Sequence, residues 1–321
     1  MLLMKKRIIW IFGLITGIVG GIASLIGYLI TSRIIYIKKK DDHFILEREK
    51  KALRYDENWY TNVCKENISV HSPNGYIIKG IYFMPLDTVN TMIVCHGVTE
   101  NKVNSIKYVR LFERLGFNTI VYDHRRHGET GGKTTSYGYY EKFDLQAVLH
   151  YLKKRLAKEA IVGVHGESMG AATTLLYAGT LEDEADFYIA DCPYSDFSEE
   201  LYYLLTKQTP FKTAFAIKLA NLFLRLRDGY WLKNIAPRTA VSNIQKPVLF
   251  IHSLPDDFIL PGMTIEFYQL KKGPKMLKLF EQGEHAQSFN KNPQEYEETV
   301  RTFLHEYILN KDQNTGDPKN R

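Results

Sequence analysis

The chain has 321 residues, of which 45% are hydrophobic and 24% charged, with a formal net charge of +6. This composition can bury one large core, which excludes a disordered polyelectrolyte and a small disulfide-stapled scaffold. Cys64, Cys95 and Cys192 are too few and odd in number for a disulfide framework, and no metal-ligand spacing links the histidines or cysteines, so no cofactor is expected.

Ile8 to Ile30 is the first element, and it carries no charged side chain. As a helix at ~1.5 Å per residue it spans roughly 34 Å, enough to cross a ~30 Å hydrocarbon layer. Residues 1–37 are therefore read as a membrane anchor with its transmembrane helix at about 8–30. A signal peptide is the rival reading, but the apolar run exceeds a ~7–15 residue signal core and continues past the small-residue site at Gly21 to Ala23. Lys5, Lys6 and Arg7 on one flank nearly balance Arg33, Lys38, Lys39 and Lys40 on the other. The short basic N-terminus is that of a signal-anchor and tips the expectation toward a folded domain on the outer side. Gly13, Gly17 and Gly21 repeat at spacing four and form a small-residue face on which a weak homodimer is expected.

Residues 38–66 read as a charged, solvated juxtamembrane linker, with its charge-dense stretch at 38–54 open to a helical form, whose lysines either meet anionic head groups or serve only as a spacer. The globular domain is expected over 67–310. Strand patterns at 68–71 and 76–83 flank Asn74-Gly75, a hairpin signal. Strands at 91–95, 118–122, 160–165, 187–190, 248–252 and 276–280 then alternate with helices at 104–115, 143–156, 171–178 and 293–309. Such alternation predicts right-handed βαβ units and a mostly parallel sheet, an α/β fold. Between 196 and 242 the alternation stops, and Phe211, Phe215, Leu219, Leu222, Phe223 and Leu226 recur at helical spacing among basic residues, as in a lid. Residues 311–321 are polar and read as a disordered tail.

The chemistry concentrates at Gly166-Glu167-Ser168-Met169-Gly170, which follows a predicted strand and opens a predicted helix. A serine at the apex of such a turn lifts its hydroxyl clear of the sheet and aims the Met169 N–H where an oxyanion would form. Serine needs an imidazole to take its proton and a carboxylate to orient that imidazole. Both follow downstream, each just past a strand: Asp256, with Asp257 beside it, and His285. Thr91 to Cys95 runs into His96-Gly97-Val98-Thr99, where the Val98 N–H is a second oxyanion donor. The stretch His127 to Thr134 is one residue short of a phosphate-binding loop, because a glycine is required where His127 stands. With the positive charge gathered at the anchor's flanks and the lid, no nucleic-acid partner is expected.

Five segments, 95–102, 122–132, 166–170, 251–259 and 283–286, together resemble the α/β-hydrolase superfamily, and within it the serine-hydrolase branch of Bem46-like and serine-aminopeptidase-like proteins. The resemblance implies a mostly parallel sheet flanked by helices with a small helical lid over 196–242. It implies Ser168 as nucleophile, His285 as general base and Asp256 as orienting carboxylate. Ser253 and Leu260 depart from the family pattern around the acid, which leaves Asp257 a rival. The expected activity is cleavage of a carboxylic ester, with thioester or amide as variants, on a substrate with a hydrophobic acyl group. An aminopeptidase-like enzyme is the alternative, with Glu167, Asp196 or Glu199 holding the substrate amine. A non-catalytic scaffold is the third reading, opposed by retention of serine, acid and histidine together.

Overall fold

The computed structural model describes residues 2–208 and 214–309; Phe211 of the expected lid face and the expected tail lie outside them. A long helix, α1 (Leu2–Ile35), leads into α2 (Asp42–Lys51) and α3 (Glu57–Asn62), followed by the hairpin β1 (Lys65–His71) and β2 (Ile77–Phe83). The body then runs β3 (Thr91–Cys95), α4 (Ile106–Arg114), β4 (Asn118–Tyr122), α5 (Glu141–Lys153), β5 (Val162–Glu167), α6 (Met169–Thr180) and β6 (Phe187–Asp191). Next come α7 (Phe197–Gln208), α8 (Ala214–Asp228), β7 (Val248–Ser253), α9 (Pro261–Leu270), β8 (Lys275–Phe280), α10 (Ser288–Lys291) and α11 (Pro293–Leu304).

The eight strands form one sheet in the order β1-β2-β4-β3-β5-β6-β7-β8. β2 runs antiparallel to both its neighbours, β1 and β4, and the strands β3 to β8 are mutually parallel. Parallel strands must be covered on both faces, and the period of two supplies both. Ile93, Cys95, Val164 and Ala190 face the core formed with α5, α6 and α9, whereas Met92, Val94, Ile189 and Leu249 face the core formed with α4 and α11. The chain places β4 on one side of β3 and then crosses to place β5 on the other, so β3 and β5 flank a topological switch point, where α/β sheets open a crevice beyond the strand ends.

The strands match the predicted segments closely, but β5 starts at Val162 and extends through Glu167, which pairs with Asp191. The closing α-helix ends at Leu304, and residues 305–309 form one wide π turn instead of continuing it.

The largest departure lies in 38–66, where a solvated linker was expected and two capped helices are found, the first with buried residues. Asp41 caps α2 through the His43 and Phe44 amides, and Asp56 caps α3 through Trp59. Ile45 is fully buried and Glu49 is 1% exposed. Glu49 accepts from Arg48 (2.9 Å) and Arg54 (2.6 Å), and Glu100 holds Arg48 through two bonds and also pairs with Lys40. Charge density misled here because these charges neutralise one another within the fold rather than facing water. Ile45→Ala is therefore expected to destabilise the detergent-solubilised full chain by ~2–4 kcal/mol in denaturant unfolding, against under ~0.5 kcal/mol for the exposed Phe44→Ala. Equal, small effects would mean that α2 does not pack on the domain.

Candidate active site

Ser168 sits between β5 and α6 at φ 57° and ψ −117°, a left-handed conformation strained for any residue with a Cβ. The flanking glycines permit it through close approach. A Cβ on Gly166 would lie 2.4 Å from the Gly170 backbone, and one on Gly170 would lie 2.1 Å from the Cys95 carbonyl oxygen. Helix α6 can thus begin directly against the end of β3, and the Ser168 amide is fixed by donating to the Asp191 carbonyl at 2.8 Å.

Ser168, His285 and Asp256 come together in a hydrogen-bonded line. Ser168 Oγ is 2.8 Å from His285 Nε2, and His285 Nδ1 is 2.7 Å from Asp256 Oδ2. A carboxylate can only accept, so Nδ1 carries the imidazole proton and Nε2 is left to accept from the serine hydroxyl. Asp256 Oδ1 accepts from the Phe258 and Ile259 amides at 2.9 and 3.0 Å, and Oδ2 also accepts from His252 Nε2 at 3.0 Å. Burial pushes the Asp256 carboxyl up, but the hydrogen bonds from His252 and His285 outweigh it and hold the group well below the usual carboxylate range. Asp257, the rival, points away: its side chain is 83% exposed and pairs with Lys207. His252 braces the acid from the other side: it meets two acceptors, Asp256 and the Ile259 carbonyl, at Nε2, while Thr264 Oγ1 lies 2.7 Å from Nδ1.

The loop carrying Val98 approaches from β3. A Cβ on Gly97 would lie 3.5 Å from Ser168 Cβ, which brings this backbone against the serine. Two buried histidines brace it. His96 Nδ1 donates to the Gly97 carbonyl (2.7 Å) while its Nε2 accepts from the His124 amide (2.9 Å). His127 Nδ1 donates to the Arg125 carbonyl, and its Nε2 accepts from the Thr99 amide at 3.2 Å. Both rings must be neutral to donate and accept at once, and burial pushes them down accordingly, to about 4 for His96 and about 3 for His127. The near-match to a phosphate loop closes instead on Asp123, which accepts from the Lys102 and Glu129 amides; a Cβ on Gly128 would strike its carboxylate at 2.3 Å.

Two cavities meet at Ser168. One, of about 260 Å³, is apolar and walled by Ile30 and Ile34 of α1, Leu201 and Leu204 of α7, Ile217 of α8, and Met169. The other, of about 950 Å³, is a polar cleft bordered by Lys40, Arg48, Glu100, Glu284 and His285. Val98 lines both cavities, and Met169 only the apolar one. The three acids weighed for amine binding are committed elsewhere. Glu167 is buried against Lys107 (2.9 Å) and the Tyr108 hydroxyl (2.6 Å), and Asp196 and Glu199 both pair with Arg238. Two features of the pocket escaped the sequence reading. Glu200, next to Glu199, turns inward, and the end of the apolar helix is a cavity wall; the spacing of Ile30, Ile34 and Ile37 was its one signal. Cys192 lies near Asp256 and His285, but burial pushes its thiol well up and both neighbours are engaged with each other.

Residues 90–236 match the family described as alpha/beta hydrolase fold. The uncharacterized protein YqkD of Bacillus subtilis (strain 168) is 45% identical over 302 residues, covering 94% of this chain and 97% of that protein. The chain belongs to the α/β-hydrolase fold family. Among solved structures it is similar to the esterase Pf2001 of Pyrococcus furiosus, with TM-score 0.64, 20% identity, and coverage of 79% of this chain and 97% of that one. The acetyl xylan esterase from Paenibacillus sp. R4 is similar with TM-score 0.59 and 16% identity over 84% of this chain and 95% of that one. At these identities the likeness is one of fold.

Single alanine substitutions separate the two acids. Asp256→Ala is expected to lower kcat/KM for an activated ester by ~10³-fold or more, and Asp257→Ala by less than ~3-fold. The reverse ranking would remove Asp256 from the line.

Proposed function

We propose that this protein is a membrane-anchored serine hydrolase that cleaves a carboxylic ester with a hydrophobic acyl group. The carrying observation is the Ser168–His285–Asp256 line at 2.8 and 2.7 Å, set at a strained turn that opens onto an apolar cavity. Ser168 Oγ attacks the ester carbonyl as its proton passes to His285 Nε2, and Asp256 stabilises the resulting imidazolium. The Val98 and Met169 amides hold the developing oxyanion. The imidazolium then protonates the leaving alcohol, and a water activated by the same nitrogen hydrolyses the acyl-enzyme. The two cavities suit an amphiphile, with its chain in the apolar one and its polar part in the cleft. The aminopeptidase-like alternative loses support because its three candidate acids are all engaged.

Membrane attachment is supported by α1, the one described helix that is long and apolar enough to span a bilayer, whose apolar residues from Met4 to Leu29 are largely exposed. Its last turns are docked rather than free. Gly27 packs on Phe223 of α8, and Arg227 reaches Tyr28, Thr31 and Ser32 at 2.6–2.9 Å. Phe215, Leu222 and Leu226 of α8 are exposed beside it, so the lid adds to the apolar surface instead of turning wholly inward. The basic N-terminus favours an extracytoplasmic catalytic domain.

A fluorophosphonate probe should label the wild type and neither Ser168→Ala nor His285→Ala, with ester turnover in both down by ~10³-fold or more. A folded wild type that resists the probe and cleaves no ester would overturn the catalytic reading in favour of a scaffold.

The wall supplied by α1 makes a second prediction. Ile30→Trp, a half-buried position, should cut kcat/KM for octanoyl esters by ~10-fold or more while acetyl esters change little. An unchanged acyl-length profile would mean that the chain does not lie against α1.

A further inference from the structure

The apolar cavity holds one polar group that nothing in the fold uses. Glu200 of α7 lines it, is 2% exposed, and among the described residues neither of its carboxyl oxygens has a hydrogen-bond partner. An unpartnered buried polar group destabilises a fold, so its presence calls for a role outside folding. One residue earlier, Glu199 pairs with Arg238 at the surface, so this helix can place a carboxylate where it is satisfied.

The other polar groups around the cavity are already engaged or remote. The Tyr137 hydroxyl donates to the Ile34 carbonyl (3.0 Å) and the Tyr194 hydroxyl to the Tyr137 carbonyl (2.5 Å). Ser168 Oγ faces His285. Arg33, at the end of α1, is exposed and makes no ion pair with Glu200. Whatever fills the cavity must therefore be mainly apolar, to match its walls, and must bring one polar group for Glu200.

We infer that Glu200 is the specificity residue of this cavity and that it binds a hydroxyl group carried on the apolar chain of the substrate, so that the preferred ester is that of a hydroxylated acyl chain. This rests on the esterase reading of the Ser168 site. Hydroxyl is favoured over ammonium by the state of the carboxyl. Burial pushes Glu200 up to about 8; the negative Asp256, in the loop after β7, adds to the rise, and Lys207, on its own helix, opposes it. At neutral pH Glu200 is then a neutral acid with one O–H to donate and one carbonyl oxygen to accept, and a hydroxyl answers both. An ammonium would need that proton removed and would bring a second charge into an apolar wall.

The test compares kcat/KM for p-nitrophenyl octanoate with that for octanoates hydroxylated near the carboxyl end, at mid-chain or at the terminal carbon, and with amino-octanoates. Wild type, Glu200→Gln and Glu200→Leu are compared after circular dichroism establishes that each is folded. One hydroxylated ester should exceed the plain ester by ~10–100-fold in the wild type, and the ratio should fall to near unity in Glu200→Leu. Glu200→Gln, which still donates and accepts, should keep the preference. Raising the pH from ~7 to ~9.5 should erode the wild-type ratio as the carboxyl ionises and leave the Gln ratio unmoved, since effects on Ser168 and His285 cancel between substrates. A wild-type ratio near unity at every hydroxyl position would overturn the inference. So would an unchanged ratio in Glu200→Leu, or a preference for an amino-octanoate. If no ester is cleaved, calorimetry on Ser168→Ala with octanamide and the hydroxyoctanamides decides: ~10-fold tighter binding of one hydroxylated amide sustains the role of Glu200 while the esterase reading fails, and equal affinities refute it.

Discussion

The close approach of α6 to the end of β3 is the constraint on which the rest of the site depends. Gly170 lies where any side chain would collide with the Cys95 carbonyl, and Gly166 lies where one would collide with Gly170. With no atoms in the way, a single residue separates the end of β5 from the start of α6, and that residue, Ser168, is forced into its positive-φ turn. The strain is held in place from several directions: the parallel ladders to β3 and β6, the Asp191 carbonyl on the serine amide, and the buried face of α6. Relaxing that turn would break the ladder ends as well as the site, which keeps a costly conformation populated.

Around this turn the fold uses imidazoles as fixed two-ended braces. His96 and His127 each join a carbonyl to an amide within the loops after β3 and β4, and His252 joins the acid loop to α9. Burial keeps His96 and His127 uncharged, and the uncharged ring is the only form that both donates and accepts. Asp256 differs because it receives four hydrogen bonds, two from amides and two from imidazoles, and so remains ionised despite burial. The line of serine, imidazole and carboxylate therefore has its protonation states set by partners that lie outside it.

Much of this was legible in the sequence because the relevant signals are local. Strand periodicity located β3 and β4 to the residue, and glycines on both sides of Ser168 marked the turn, since close backbone approach leaves no other residue type. Asp256 and Asp257 could not be separated, because adjacent residues in a loop differ only in which way they point, and that is fixed by the Phe258 and Ile259 amides folding back on one of them. Segment 38–66 misled for a related reason: Glu100 takes Arg48 and Lys40 from across the fold, and no spacing rule shows a pairing over 52 or 60 positions. Glu200 was passed over for Glu199 because α7 turns by ~100° per residue, and the direction of the cavity is a tertiary fact.

The junction between α1 and the domain unites two properties that the sequence suggested were separate. The last carbonyls of a helix have no partners within it. Here the domain supplies them: the Tyr137 hydroxyl caps Ile34, the Thr135 amide caps Ile35, and Arg126 reaches the Ile37 carbonyl just beyond. The same turns present Ile30, Ile34 and Ile37 to the apolar cavity. A helix joined by a flexible linker could tilt or shift in a bilayer without consequence for the site. This one cannot, because its cap and its cavity-facing residues are the same turns. On the proposed reading of a membrane-anchored esterase, the depth and tilt of the helix and the shape of the apolar cavity become one mechanical variable, and bilayer thickness, which influences helix tilt, would also act on the acyl chain accepted.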